Sequence, residues 1–88
     1  MAATYSITLL TPEGKLHEGI ASSVIAPGVV GSFGVLAHHQ PMIAALQAGP
    51  LQITAEDGKL IYFKLTGGLL EVTASHDVII IADTATTV

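Results

Sequence analysis

Four histidines, His17, His38, His39 and His76, are the side chains best suited to chemistry in this sequence. A neutral imidazole binds metal or moves a proton near neutral pH, but a metal site needs two or three of them on one face. His38 and His39 are adjacent, so in an extended segment they point to opposite faces. No His-x-His or His-x-x-x-His pair occurs. Loop or interface positions suit these residues better than metal ligation. Ser, His and Asp are all present, yet there is no Gly-x-Ser-x-Gly elbow to carry a nucleophile. Cysteine is absent, which removes disulfides, thiolate catalysis and Cys-ligated zinc. Gly28, Gly31 and Gly34 form a glycine-rich segment, but not the Gly-x-Gly-x-x-Gly fingerprint, and no helix follows to present its N-terminus to a phosphate. They read as a tight, irregular loop. The acids Glu56, Asp57, Glu71, Asp77 and Asp83 are scattered over turns and strand faces, as solubilising charges are. These residues imply no active site, no metal and no cofactor.

The elements that carry them are strands. Tyr5, Ile7 and Leu9 alternate with Ser6 and Thr8, the period of a half-buried strand. Thr11-Pro12-Glu13-Gly14 reads as a turn. Two short extended pieces follow, Leu16–Gly19 and Ser22–Ala26, the second ended by Pro27-Gly28. Phe33, Val35 and Leu36 lie in the next piece, and the five residues Met42–Leu46, before Gly49-Pro50, favour another strand. Leu51, Ile53 and Ala55 alternate with polar residues. Asp57-Gly58 then signals a two-residue type I′ hairpin turn, with φ > 0 at both central positions. The return strand is Leu60–Thr66, Gly67-Gly68 breaks it, and Leu70 and Val72 continue. Ser75-His76-Asp77 is a turn before the apolar run Val78–Ala82. In Val78-Ile79-Ile80-Ile81 both faces are apolar, so the strand is either central or turned outward to a partner. Thr84–Val88 reads as a frayed tail. Short strands at this spacing mark an all-β sandwich or barrel. The sandwich is expected over residues 1–85 and the tail over 86–88.

Composition bounds the function. The 88 residues suit one domain. Charged residues are 11% of the chain, with three Lys, no Arg and seven acids. A surface that reads phosphates needs clustered cations, so nucleic acid is not an expected partner. Between Glu18 and Glu56 lie 37 residues without Asp, Glu, Lys or Arg. Gly and Pro cut that stretch into pieces too short to span a membrane, where about 20 apolar residues are needed. The opening MAATYSITLL has neither the basic start of a signal peptide nor the Arg-rich character of an import sequence. Exposed apolar patches remain as the functional signal: Val29 and Val30 at a loop tip, Pro41 and Met42 after a turn, and the outer face of Val78–Ile81. Such patches indicate contact with another protein.

Specific words of the sequence then point to a family. Phe33-Gly34-Val35-Leu36 followed by His39-x-Pro41-Met42 resembles the "FGVLPGHAPM" stretch of the epsilon subunit of F-type ATP synthases. Thr66-Gly67-Gly68-Leu69-Leu70-Glu71-Val72 resembles its "SGGFLEV", and Ile81-Ala82-Asp83-Thr84-Ala85 its "LADTA". Leu10-Thr11-Pro12-Glu13-Gly14 and Ala26-Pro27-Gly28 fit too, and all five words keep the family's order. The resemblance implies a ten-strand β-sandwich of two sheets. It implies a non-catalytic rotor subunit of the central stalk, bound to the gamma subunit and resting on the c-ring, which couples proton-driven rotation to ATP synthesis. Val29, Val30, Gly31, Ser32 and His38 are then expected at the c-ring contact. His39, Gln40, Met42, Gly67, Gly68, Leu69 and Glu71 are expected at the gamma contact.

Two departures from the family pattern stand out. Members of full length continue past "LADTA" into a two-helix hairpin that inhibits ATP hydrolysis. The chain here stops at Val88, so a coupling form without that inhibition is expected. Ala37-His38-His39-Gln40 replaces the usual Pro-Gly-His-Ala. Loss of that Gly means either that the turn needs no φ > 0 or that His38 adopts it with strain. The expected location is the cytoplasmic face of a bacterial inner membrane, peripheral and not spanning, with the stromal side of a thylakoid as the alternative. The isolated chain is expected to be a monomer. The competing readings are a free-standing β-sandwich ligand-binding module, which would want more aromatics than two Tyr and two Phe, and a small hydrolase, for which no nucleophile–base pair exists.

Overall fold

Alternating side chains place nine strands among the described residues: β1 (Tyr5–Thr11), β2 (Gly14–Gly28), β3 (Gly31–Leu36), β4 (Met42–Leu46), β5 (Gly49–Ala55), β6 (Leu60–Leu65), β7 (Gly68–Val72), β8 (Val78–Ala82) and β9 (Ala85–Thr87). The computed structural model describes residues 3–88. Met1 and Ala2, which open the segment read for an export or import signal, lie outside the described residues. Strands β4, β7, β8 and β1 make one layer with the first half of β2, and β8 runs parallel to β1. The second half of β2 crosses to the other layer, between β3 and β5, and β6 and β9 complete it.

The resemblance implies ten strands and the described residues form nine, and β2 is longer than the pattern of residues suggests. Leu16–Gly19 and Ser22–Ala26 were expected as two pieces, but no turn separates them. Instead, the pairing with β5 shifts register between Ala21 and Ser23. The bulge there bends one strand from sheet to sheet, and the Ser22 hydroxyl donates to the Thr54 carbonyl at 3.4 Å.

The core is what the alternation requires. Ile7, Leu9, Val24, Leu51, Ile53, Leu65, Leu70 and Ile80 are fully buried, and no buried residue among those described is polar or charged. Tyr5 enters the core by its ring, and its hydroxyl donates to the Val35 carbonyl at 2.7 Å. Burial pushes that phenol well above its ordinary range. The bond ties the start of β1 to β3 across the two layers.

Two local expectations are corrected. The hairpin between β5 and β6 is not a two-residue type I′ turn, since Gly58 has φ 89° while Asp57 does not have positive φ. Gly58 N–H bonds the Ala55 carbonyl at 2.9 Å and Ala55 N–H bonds the Lys59 carbonyl at 2.8 Å. Glu56, Asp57 and Gly58 thus form a three-residue loop, with Gly in the left-handed position after a turn. The Asp57 carboxylate accepts from Lys59 N–H at 2.9 Å and holds it. At the other end, residues 86–88 are not a frayed tail. Ala85, Thr86 and Thr87 pair with Leu65, Lys64 and Phe63, and Val88 N–H reaches the Tyr62 carbonyl at 3.4 Å.

Candidate interaction surface

The first sheet turns an apolar face outward. Strand β4 carries Ile43 and Ala45 on that side, β7 carries Leu69 and Glu71, β8 carries Ile79 and Ile81, and β1 carries Thr8 and Leu10. Register aligns them in two rows. Ala45 lies opposite Leu69, Leu69 opposite Ile81, and Ile81 beside Leu10. Ile43 lies opposite Glu71, Glu71 opposite Ile79, and Ile79 beside Thr8. Ile43 is 70%, Ile81 52% and Leu69 48% exposed. Isolated exposed apolar side chains are ordinary, but a contiguous set over four strands marks a contact surface. Glu71 is its one charge between β4 and β8.

A groove adjoins this face at the β4 edge. Val29 and Val30 form the tip between β2 and β3, and Val30 is 100% exposed. Val29 N–H bonds the Ala45 carbonyl at 3.1 Å, which fixes the tip against β4. Between the tip, β3 and β4 lies a groove of about 470 Å³ whose lining holds no Asp, Glu, Lys or Arg. Every lining residue falls between Gly28 and Ala45, inside the charge-free stretch of the sequence.

Among the residues expected at contacts, the groove brings together Val29, Val30, Gly31, His39 and Met42. Met42 is half-buried and packs against the core, so it supports the wall rather than projecting from it. Leu69 and Glu71 share the outer face. Ser32 and Gln40 are exposed but do not line the groove. His38 is drawn elsewhere: its ring meets that of His76 edge-on at 6.2 Å, and His76 Nδ1 lies 3.0 Å from the His39 carbonyl. His38 and His76 have φ of 66° and 67°, the positive-φ non-glycine residues among those described. So His38 does take the conformation its missing Gly would have favoured, and the two histidines join the β3–β4 and β7–β8 loops. No group of three His, Asp or Glu side chains among the described residues is placed to hold a metal ion.

Gly67 and Gly68 have an architectural task. Their φ values are 134° and 147°, and a Cβ on Gly68 would collide with the Ile81 carbonyl oxygen. Only glycine lets the chain step from β6 onto β7 so close to β8. The face also contains residues that the sequence reading did not single out: Ile43, Ala45 and Leu10. The signal for the two β8 residues was there, in the two-faced apolar run Val78–Ile81. Strand β8 is both central, between β1 and β7, and apolar outward.

Comparisons with known proteins identify the family of this β-sandwich. Residues 4–88 match the family model described as the β-sandwich domain of the ATP synthase delta/epsilon chain. The ATP synthase epsilon chain of Halorhodospira halophila is 40% identical over 84 residues, which cover 94% of this chain and 59% of that one. The ATP synthase epsilon chain of Helicobacter acinonychis is 43% identical over 83 residues, covering 94% and 66%. The chain thus spans about three-fifths of the length of these curated relatives. A chain in the cryo-EM structure of the Euglena gracilis mitochondrial ATP synthase, containing OSCP, F1 and the c-ring, superposes with a TM-score of 0.89. That chain is 25% identical, and the match covers 99% of this chain and 55% of that one. Among the described residues no helix is long and apolar enough to cross a membrane. With a family match over residues 4–88 and relatives of 40% identity or more, the chain belongs to the delta/epsilon-chain β-sandwich family of ATP synthases.

Proposed function

We propose that this chain serves in the central stalk of an F-type ATP synthase, where it binds the gamma subunit and the c-ring and couples proton-driven rotation to ATP synthesis. The observation that carries this reading is the outward apolar face of β4, β7, β8 and β1, continuous with the uncharged groove and the Val29–Val30 tip. A coupling subunit needs adhesive surface, because torque passes through contacts and not through bonds made or broken. An apolar face supplies that adhesion when a partner covers it.

The role is non-catalytic and peripheral to the membrane, on the cytoplasmic face of a bacterial inner membrane or the stromal side of a thylakoid. Leu69 and Glu71 contact gamma directly, with Ile43 and Ile81 beside them. His39 and Gln40 border that contact. Met42, Gly67 and Gly68 shape the surface from behind. Val29, Val30, Gly31 and Ser32 face the ring, and His38 steadies the neighbouring loop through His76. Co-purification of the chain with a gamma-type subunit tests this reading. A stable one-to-one complex is the expected result, and two chains that elute separately at micromolar concentration would refute it.

A further inference from the structure

The groove beside β4 is bounded by two open strand edges. Around the single pair Gly28–Leu46, Val29 N–H bonds the Ala45 carbonyl at 3.1 Å and Gln47 N–H bonds the Pro27 carbonyl at 2.8 Å. Both bonds leave β4 on the side away from β7. Backbone groups on a strand alternate sides from residue to residue, so the Ala45 N–H and both backbone groups of Ile43 point the same way. The ladder from β2 has ended there, because the chain turns off into the Val29–Val30 tip. Since the Pro27 carbonyl is turned to Gln47, the Pro27–Ser32 pair exchanges no ladder bonds. By the same alternation Ser32 and Gly34 turn their backbone groups away from β2, on the open side of β3. Gly34, Ile43 and Ala45 all line the groove.

Edges that remain free in solution are guarded by charge, by Pro or by a bulge. Met42–Leu46 has none of these. We infer that an extended, uncharged segment of the gamma-type partner adds as a strand to the β4 edge, and continues the ladder that residues 27–29 begin. This inference rests on the stalk reading above and specifies how that contact is made. Main-chain hydrogen bonds would supply the affinity and the apolar lining the selectivity, as in other strand additions. The absence of charge from the lining sets the chemistry of the segment, since an ionic side chain placed there would lose its water without finding a partner.

Amide hydrogen exchange, read residue by residue on the chain alone and bound to the gamma subunit, is the test. In the free chain Ile43 and Ala45 should exchange about tenfold or more faster than Ala44 and Leu46, whose amides pair with β7. In the complex, Ile43 and Ala45 should become protected to a similar extent. A complex that forms while those two amides still exchange freely would overturn strand addition and leave the stalk reading intact. Failure to bind gamma would overturn both. Protection of the two amides in the free chain, accompanied by dimerisation in sedimentation, would assign the edge to a second copy and also overturn the inference. As a second arm, Ile43→Pro removes the outward N–H without touching the β7 ladder, a place where an edge strand tolerates Pro. It should weaken gamma binding about tenfold more than Ile43→Ala does. Equal effects of the two would argue against a main-chain bond at Ile43.

Discussion

The outer faces of the two sheets are built from the same kinds of strand, and they differ in how their apolar residues are arranged. On the first sheet, Ala45, Leu69, Ile81 and Leu10 follow one another across four strands without a polar interruption. On the second, Leu36, Ser23, Thr54 and Leu60 form one row and Gly34, Ile25, Gln52 and Tyr62 the next. Exposed apolar side chains occur on both, with Ile25, Leu36, Leu60 and Tyr62 on the second sheet. There the hydroxyls of Ser23 and Thr54 stand between Leu36 and Leu60, and the Gln52 amide stands between Ile25 and Tyr62. Counting exposed hydrophobics would therefore rate the faces alike. Contiguity, which exists only once the register is known, separates them.

The largest effect is expected where the two sheets join. Gly68→Ala places a Cβ against the Ile81 carbonyl at a backbone angle that suits only glycine. It should cost about 3 kcal/mol or more in urea unfolding, and should disturb the first face while leaving the second in place. A loss under about 1 kcal/mol would show that the crossing has slack.

Next come paired charges on the two faces. Ile81→Asp should weaken gamma binding about a hundredfold, near 2.7 kcal/mol, with stability changed by no more than about 1 kcal/mol because the side chain is half exposed. Ile25→Asp, the matched change on the second sheet, should leave binding unaltered. Equal losses from both would remove the distinction between the faces.

The hairpin tip is a smaller case. Val30 is wholly exposed, so Val30→Asp should leave stability within about 0.5 kcal/mol. It should weaken association with the c-ring about tenfold, measured on reconstituted vesicles. Unchanged assembly and unchanged proton-driven synthesis would take Val30 off the contact.

Tyr5 carries the smallest effect. Its buried hydroxyl bonds Val35 across the layers, and Tyr5→Phe should cost about 1 kcal/mol at neutral pH. Burial raises this phenol above its ordinary value, which is about 10 in the unfolded chain. Above that pH the unfolded chain releases a proton that the folded chain keeps, so stability falls as pH rises. The fall should be shallower in Tyr5→Phe than in the parent, as followed by urea midpoints between pH 8 and about 11.

Most of the fold was legible because period-two alternation is a local property. Ile7, Leu9, Ile53, Phe63 and Leu70 could be placed in strands from their immediate neighbours. Strand β2 was read as two pieces because a bulge at Ser22 leaves no mark in composition. The β5–β6 loop was read one residue short because Asp57-Gly58 fits both a two-residue and a three-residue turn. Choosing between them requires knowing that Ala55 pairs back to Lys59. Val29 and Val30 were legible as an apolar loop tip beside Gly28 and Gly31, and Leu69 and Glu71 from a word that carries the family resemblance. Ile43, Ala45 and Leu10 were not, because their membership depends on β4 and β1 flanking the β7–β8 pair. That neighbourhood is set by long-range pairing, which no window of sequence contains.

Hydroxyl-radical footprinting of the chain, alone and bound to the gamma subunit, sets the two faces against each other in one experiment, because it labels exposed Leu, Ile and Tyr side chains on both at once. Binding is expected to protect Leu69, Ile81 and Ile43 while Ile25, Leu60 and Tyr62 stay as reactive as in the free chain. Protection of Ile25, Leu60 and Tyr62, with Leu69 and Ile81 still labelled, would contradict it.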